Sequence, residues 1–167
     1  MLPPRPATNQ DGDQLAQLIA TVFAEYRGCV FDRAAEFPEL SAIADDFAPH
    51  GAIWVVEKEA GVIVGCLGIK VSPDLAEAEL HKVYLDKSCR GQGIAQLMLQ
   101  TARDWLMQNY PACQRLLLWT DSRFDAGHRF YQKCGFVQTG ETRELDDLSQ
   151  SRELAFAAAP SRLLVAR

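Results

Sequence analysis

The chain is 167 residues long, 48% of them apolar, with 22 acidic side chains against 17 basic ones and a net charge of −5. That length holds one domain with a core of ordinary size, and the acidic balance, with no run of Lys or Arg, excludes the basic footprint that nucleic acid or an anionic membrane would need. The longest apolar runs are strand-sized, which predicts a soluble cytoplasmic protein, and five scattered cysteines without a CxxC or a zinc-type Cys/His spacing read as free thiols and imply no metal.

In chain order, a short strand around Arg5 and Ala7 comes first. Asp11 with Gln14 three residues later has the spacing of a capping box, and Leu15, Leu18, Ile19, Val22, Phe23 and Tyr26 recur at helical intervals, predicting an amphipathic helix. Between Gly28 and His50, the 3/4 spacing of Phe37, Leu40, Ile43 and Phe47 predicts a second, short helix. The β-branched and aromatic runs at 52–58 and 62–71 read as a hairpin, with the turn at 59–61, and 77–85 adds a third strand of the same meander. The period then changes. Ile94, Leu97, Met98, Ala102, Trp105 and Leu106 share one face opposite Gln96, Gln100, Arg103, Asp104 and Gln108, a long helix ending near Asn109 before Pro111. A buried strand at 115–120, a helix at 125–134 stopped by Gly135, and closing strands within 136–145 and 152–158 complete one domain spanning 1–167.

The chemistry gathers on the strand, loop and helix from Glu79 to Gln96. The first N–H groups of a helix lack partners and carry the positive end of its dipole, and Gly91 and Gly93 let a phosphate approach bare backbone. Two familiar phosphate loops do not fit. A Walker loop needs a Gly-Lys pair that the sequence lacks. A dinucleotide fingerprint wants GxGxxG directly after the strand with an acid about 20 residues on, whereas here five residues intervene, the third position is Gln96, and Asp121 lies 30 residues past Gly91.

The segment from Val83 to Ala95, VYLDKSCRGQGIA, resembles the central motif of the GCN5-related N-acetyltransferase (GNAT) superfamily, whose Q/R-x-x-G-x-G/A pattern is met by Arg90, Gly93 and Ala95. A second landmark of that family, a Tyr ahead of a Gly-Phe pair on the helix after the next strand, is matched by Tyr131, Gly135 and Phe136. The resemblance covers roughly residues 11 to 157. It implies a mixed α/β (α+β) fold: a mostly antiparallel central sheet of six to seven strands, flanked by about four helices and splayed at the strand before the pyrophosphate loop. It further implies acetyl-CoA as cosubstrate, with Val83, Tyr84 and Leu85 as the main-chain rail for pantetheine. The N–H groups of Gly91, Gln92, Gly93, Ile94, Ala95 and Gln96 would hold the pyrophosphate, and Arg90 would either add a charge-assisted contact or stay solvated.

Amide formation requires that a largely protonated amine lose its proton and that the departing thiolate gain one. By family position Tyr131 is the proton donor. Glu79, six residues before Leu85 on the same strand, is the candidate base, or else only orients the amine. His81 shares the face of Glu79 on a regular strand and is either a relay or structural, and His128 is expected to be structural. Two departures from the family pattern stand out: Phe124 occupies the position of a common CoA-contacting Asn, and Trp119 that of a glutamate used on protein N-termini. Tyr26, Phe31, Asp32 and Asp146 are acceptor-site candidates by location. The partner expected is a small-molecule amine, with a homodimer left open, and the alternative to an enzyme is a catalytically silent acyl-CoA-binding sensor.

Overall fold

A computed structural model describes residues 3–164 of the protein. Its elements are β1 (Arg5–Pro6), α1 (Gly12–Phe23), α2 (Arg33–Glu36), α3 (Ile43–Phe47), β2 (Gly51–Lys58), β3 (Val62–Val71), β4 (Glu77–Leu85), α4 (Ile94–Asn109), β5 (Arg115–Asp121), α5 (Asp125–Lys133), β6 (Val137–Glu144) and β7 (Arg152–Ala158). The seven strands form one sheet in the order β1-β2-β3-β4-β5-β7-β6, antiparallel at every pairing except β4 with β5.

Both faces of the sheet are covered, which is why β2 and β3 read as nearly continuous apolar runs rather than alternating ones. Trp54 and Val56 point to a core shared with Met98, Leu99 and Leu106 of α4, while Ile53 and Val55 point to one shared with Leu15 and Ile19 of α1 and Phe47 of α3. Alternate residues of one strand thus feed two cores.

The feature that positions the site is a split in the sheet. Strands β4 and β5 pair only from Glu77↔Arg115 to Leu80↔Leu118. Beyond that, β5 follows β7 from Trp119↔Ala155 to Asp121↔Glu153, and the end of β4 keeps only β3. The main chain of β4 past Leu80 therefore faces a notch, as the family resemblance implies.

Two local expectations change. The second helix is two, α2 and α3, joined by a 3-10 turn over Pro38–Ala42, because Pro38 interrupts the helical hydrogen bonds. Asp11 does not box with Gln14. Its carboxylate accepts from the Thr8 N–H (2.7 Å) and from Arg5 (2.9 Å to each oxygen), while Gln14 reaches across to Gly61 O and the Ile63 N–H (3.0 Å each) and pins α1 to the start of β3.

Candidate functional site

A cavity of about 670 Å³ opens at the split. Residues of β4 (Glu79, His81, Val83, Tyr84) and of β5 (Trp119, Asp121) border it, with Tyr131 behind and Asp146 and Asp147 of the β6–β7 connection opposite.

β4 is not a regular strand here. Lys82 adopts φ +54° where the register slips between Cys66 and Gly68, and the Cys66 thiol donates to the Lys82 carbonyl across the slip (3.0 Å). This is a bulge, and it turns the end of β4 toward the notch. Gly68 opposite His81 leaves room for the Phe47 ring, which a Cβ there would meet at 2.3 Å. Upstream of the bulge, Glu79 and His81 share a face, with Glu79 Oε1 3.7 Å from His81 Nε2.

Burial raises the Glu79 carboxyl above its ordinary value, and Glu153 adds to this, while Arg143 and Lys70 pull it back. Burial lowers His81 to about 4, helped by Lys70, Lys82 and Arg143, so its ring is neutral at pH 7. Each of these cations has its own acid: Lys70 pairs with Asp46 (2.7 Å), Lys82 with Glu39, and Arg143 with Glu153 (2.5 Å) while lying over the Trp119 ring at 4.3 Å.

Tyr131 is buried on α5, packed edge-on against Phe136 (5.8 Å between centroids) and tilted against Phe156 (6.2 Å). Burial raises its pKa well above that of a free tyrosine. Among the described residues none hydrogen-bonds to its hydroxyl, which borders the cavity as a protonated donor.

At the far end of β4, Gly91 (φ +76°) and Gly93 (φ +79°) take the left-handed conformation that favours glycine, and a Cβ on either would point into open space. Helix α4 begins at Ile94 with no side-chain cap, which leaves the N–H groups of Ile94, Ala95 and Gln96 unbonded within the helix. Bare backbone, open space and the positive end of a 16-residue helix fit a pyrophosphate. Ile94 itself anchors into the core, and Gln92 folds back on Ser88 O (3.0 Å). Arg90 departs from expectation: its guanidinium is bonded to Glu25 and to Leu85 O, away from the N–H groups of the loop.

Of the acceptor candidates, His81 and Asp146 border the cavity, whereas Tyr26, Phe31 and Asp32 do not. Tyr26 supports Phe124 from behind (4.6 Å), Phe31 packs on Phe37 (5.0 Å), and Asp32 accepts from the Ala35 N–H (2.9 Å) as the cap of α2. Phe124, in the place of an Asn, makes that part of the wall apolar. His128 is structural, stacked on Phe156 and bonded to Asp121 O at 2.9 Å. The sequence reading missed Lys70, Lys82 and Arg143, which come from three strands and share no spacing. It also missed two ties between the segment after α1 and the β6–β7 connection: Glu36 accepts the Leu148 N–H (2.6 Å), and Ser149 Oγ accepts the Val30 N–H (2.8 Å). Among the described residues no three His, Cys, Asp or Glu side chains converge as a metal-binding set, and no helix is long and apolar enough to cross a membrane.

The model of the Acetyltransferase (GNAT) family matches residues 16–136. Among curated proteins, the N-acetylaspartate synthetase of Danio rerio is 30% identical over 97 residues, 58% of this chain and 33% of that protein, so the chain spans about a third of that relative's length. A GNAT-family acetyltransferase structure from Staphylococcus aureus Mu50 superposes with a TM-score of 0.77 at 19% identity, covering 94% of this chain and 98% of that one. A chimeric spermidine N-acetyltransferase from Vibrio cholerae gives 0.72 at 16% identity, covering 95% of each chain. At such identities the likeness is one of fold.

Proposed function

Since the chain belongs to the GNAT family of acetyltransferases, and is thus an acyltransferase, we propose that it transfers an acetyl group from acetyl-CoA to the amine of a small molecule by direct attack. The observation that carries this reading is the split sheet. One irregular strand, β4, carries Glu79 and His81 on a cavity that Tyr131 also borders, and leads from Leu85 into the bare glycine loop before α4.

Acetyl-CoA supplies the activated thioester. Val83 and Tyr84 offer main-chain groups to pantetheine, and the loop from Gly91 to Gln96 receives the pyrophosphate. Leu85 contributes less than the motif implies, since its carbonyl already accepts two bonds from Arg90. Glu79, whose pKa burial raises, takes the amine proton directly or through a water. His81 is neutral beside it, with Nε2 3.7 Å from Glu79 Oε1. Tyr131 gives its proton, or a hydrogen bond, to the departing sulfur, a role suited to a phenol that stays protonated at neutral pH.

The charges of the wall bear on the acceptor. Three cavity cations are neutralised by Asp46, Glu39 and Glu153, while Glu79, Asp146 and Asp147 have no Lys or Arg partner among the described residues. This balance supports a cationic amine. Of the acceptors the named relatives suggest, a polyamine, from the spermidine enzyme, fits this balance, whereas aspartate, from the synthetase, brings two carboxylates of its own and does not.

Tyr131→Phe tests the assignment of the acid, because it keeps the ring's packing and removes only the hydroxyl. Turnover should fall by roughly 10²- to 10⁴-fold with acetyl-CoA affinity little changed. Wild-type turnover in this variant would reduce Tyr131 to a packing residue.

A further inference from the structure

Arg90 occupies a motif position from which a guanidinium would either contact the pyrophosphate or stay solvated, yet its donors are engaged elsewhere. Nη1 and Nη2 each donate to one oxygen of Glu25 (2.7 Å for both), and Nε and Nη2 donate to the Leu85 carbonyl (3.1 and 2.9 Å). Four of the five N–H groups of the fork are taken by these bonds. The bidentate carboxylate already neutralises the cation, and a phosphate drawn toward it would also meet the negative charge of Glu25.

We propose that Arg90 is a positioning residue that fastens the end of β4 to the end of α1, and that it does not act as a phosphate ligand. Glu25 lies just past α1, and Leu85 is the last residue of β4. The same end of α1 carries Phe23, whose ring meets Tyr84 edge-on (6.0 Å) and Phe124 (6.2 Å), both of which border the cavity. One side chain therefore fixes the strand end offered to pantetheine and the helix end that backs the cavity wall. Its effect is felt at the pantetheine arm, whether or not the donor carries a pyrophosphate.

The inference rests on acetyl-CoA being the donor, and donor chemistry provides the test. Wild type, Arg90→Gln, Arg90→Lys and Glu25→Gln are compared by kcat/KM on acetyl-CoA and on S-acetylpantetheine, which lacks the pyrophosphate and nucleotide, with one amine and with folding checked by circular dichroism. Arg90→Gln should lose roughly 10- to 100-fold, the scale of a small misplacement near the reacting centre, and by the same factor with both donors. Glu25→Gln should show a matching loss although it leaves the arginine in place, and Arg90→Lys should not rescue, because an ammonium keeps the charge but not the fork. A loss confined to acetyl-CoA, rescue by lysine, or unchanged or improved use of acetyl-CoA by Glu25→Gln would overturn the proposal. Should Arg90→Gln fail to fold, the last two results decide it. Wild-type protein that turns over neither donor would remove the donor reading, and this inference with it.

Discussion

Glu79 sits between opposing influences. Desolvation and the Glu153 charge favour its neutral form, while Arg143 and Lys70 favour the carboxylate, and burial dominates. A base must be deprotonated to act, so a raised pKa moves the acidic limb of kcat/KM above the ordinary glutamate value of about 4.3. Glu79→Gln should lower kcat and abolish that limb. Arg143→Gln should move the limb to still higher pH, since it removes a cation that lowers the Glu79 pKa and leaves Glu153 without its partner. A pH–rate profile unchanged in Glu79→Gln would transfer the role of base to His81 or to water. That Glu79 and Tyr131 share one cavity was legible in the sequence because each keeps a fixed distance from a motif on its own or a neighbouring element. Lys82 was not, because a bulge depends on a register slip against β3 that no single strand announces. The same limit applies to Arg90: a motif gives the position of a side chain in the chain, and only the fold shows that Glu25 lies within reach of it.

At the level of elements, helix α4 and its glycine loop were read at nearly their true bounds, since the change from period 2 to period 3.6 falls on the loop itself. The region between α1 and β2 was read less well. Its apolar spacing is real, as Leu40, Ile43 and Phe47 are all buried, but Pro38 divides the backbone that carries it. The loop also yields an element-scale prediction. Gly93 holds φ +79° with open space where a Cβ would stand, so Gly93→Val introduces no clash with its neighbours. It should cost about 1–2 kcal/mol of stability from the left-handed backbone, and it should place a branched side chain where the proposed pyrophosphate site lies. Calorimetry should then show acetyl-CoA binding lost while circular dichroism shows the fold retained. Unchanged affinity would detach the loop from cofactor binding.

Across the whole molecule, Arg5 joins the N-terminal segment to the sheet by bonding both Asp11 and Glu57, the latter on β2. The Arg5 guanidinium holds the Asp11 carboxyl below its ordinary value against the cost of burial. A depressed carboxylate stabilises the fold above its unfolded pKa of about 3.9, and that stability is lost as pH falls through the lower, folded value. Asp11→Asn should therefore lower the melting temperature at pH 7, with the difference from wild type shrinking below about pH 4. A difference that stays constant with pH would assign the effect to packing. The order of elements was legible because alternation and breakers marked each one, whereas the split in the sheet was expected only through the family resemblance of two spaced motifs. The acceptor was not legible, because its wall is assembled from α2, the β6–β7 connection and five separate strands. The most direct test of the account is release of free CoA thiol from acetyl-CoA across a panel of amino acids, polyamines and other small amines. The account predicts amine-dependent release with at least one cationic member, and loss of that release in Tyr131→Phe. Acetyl-CoA binding without thiol release on any amine would contradict it.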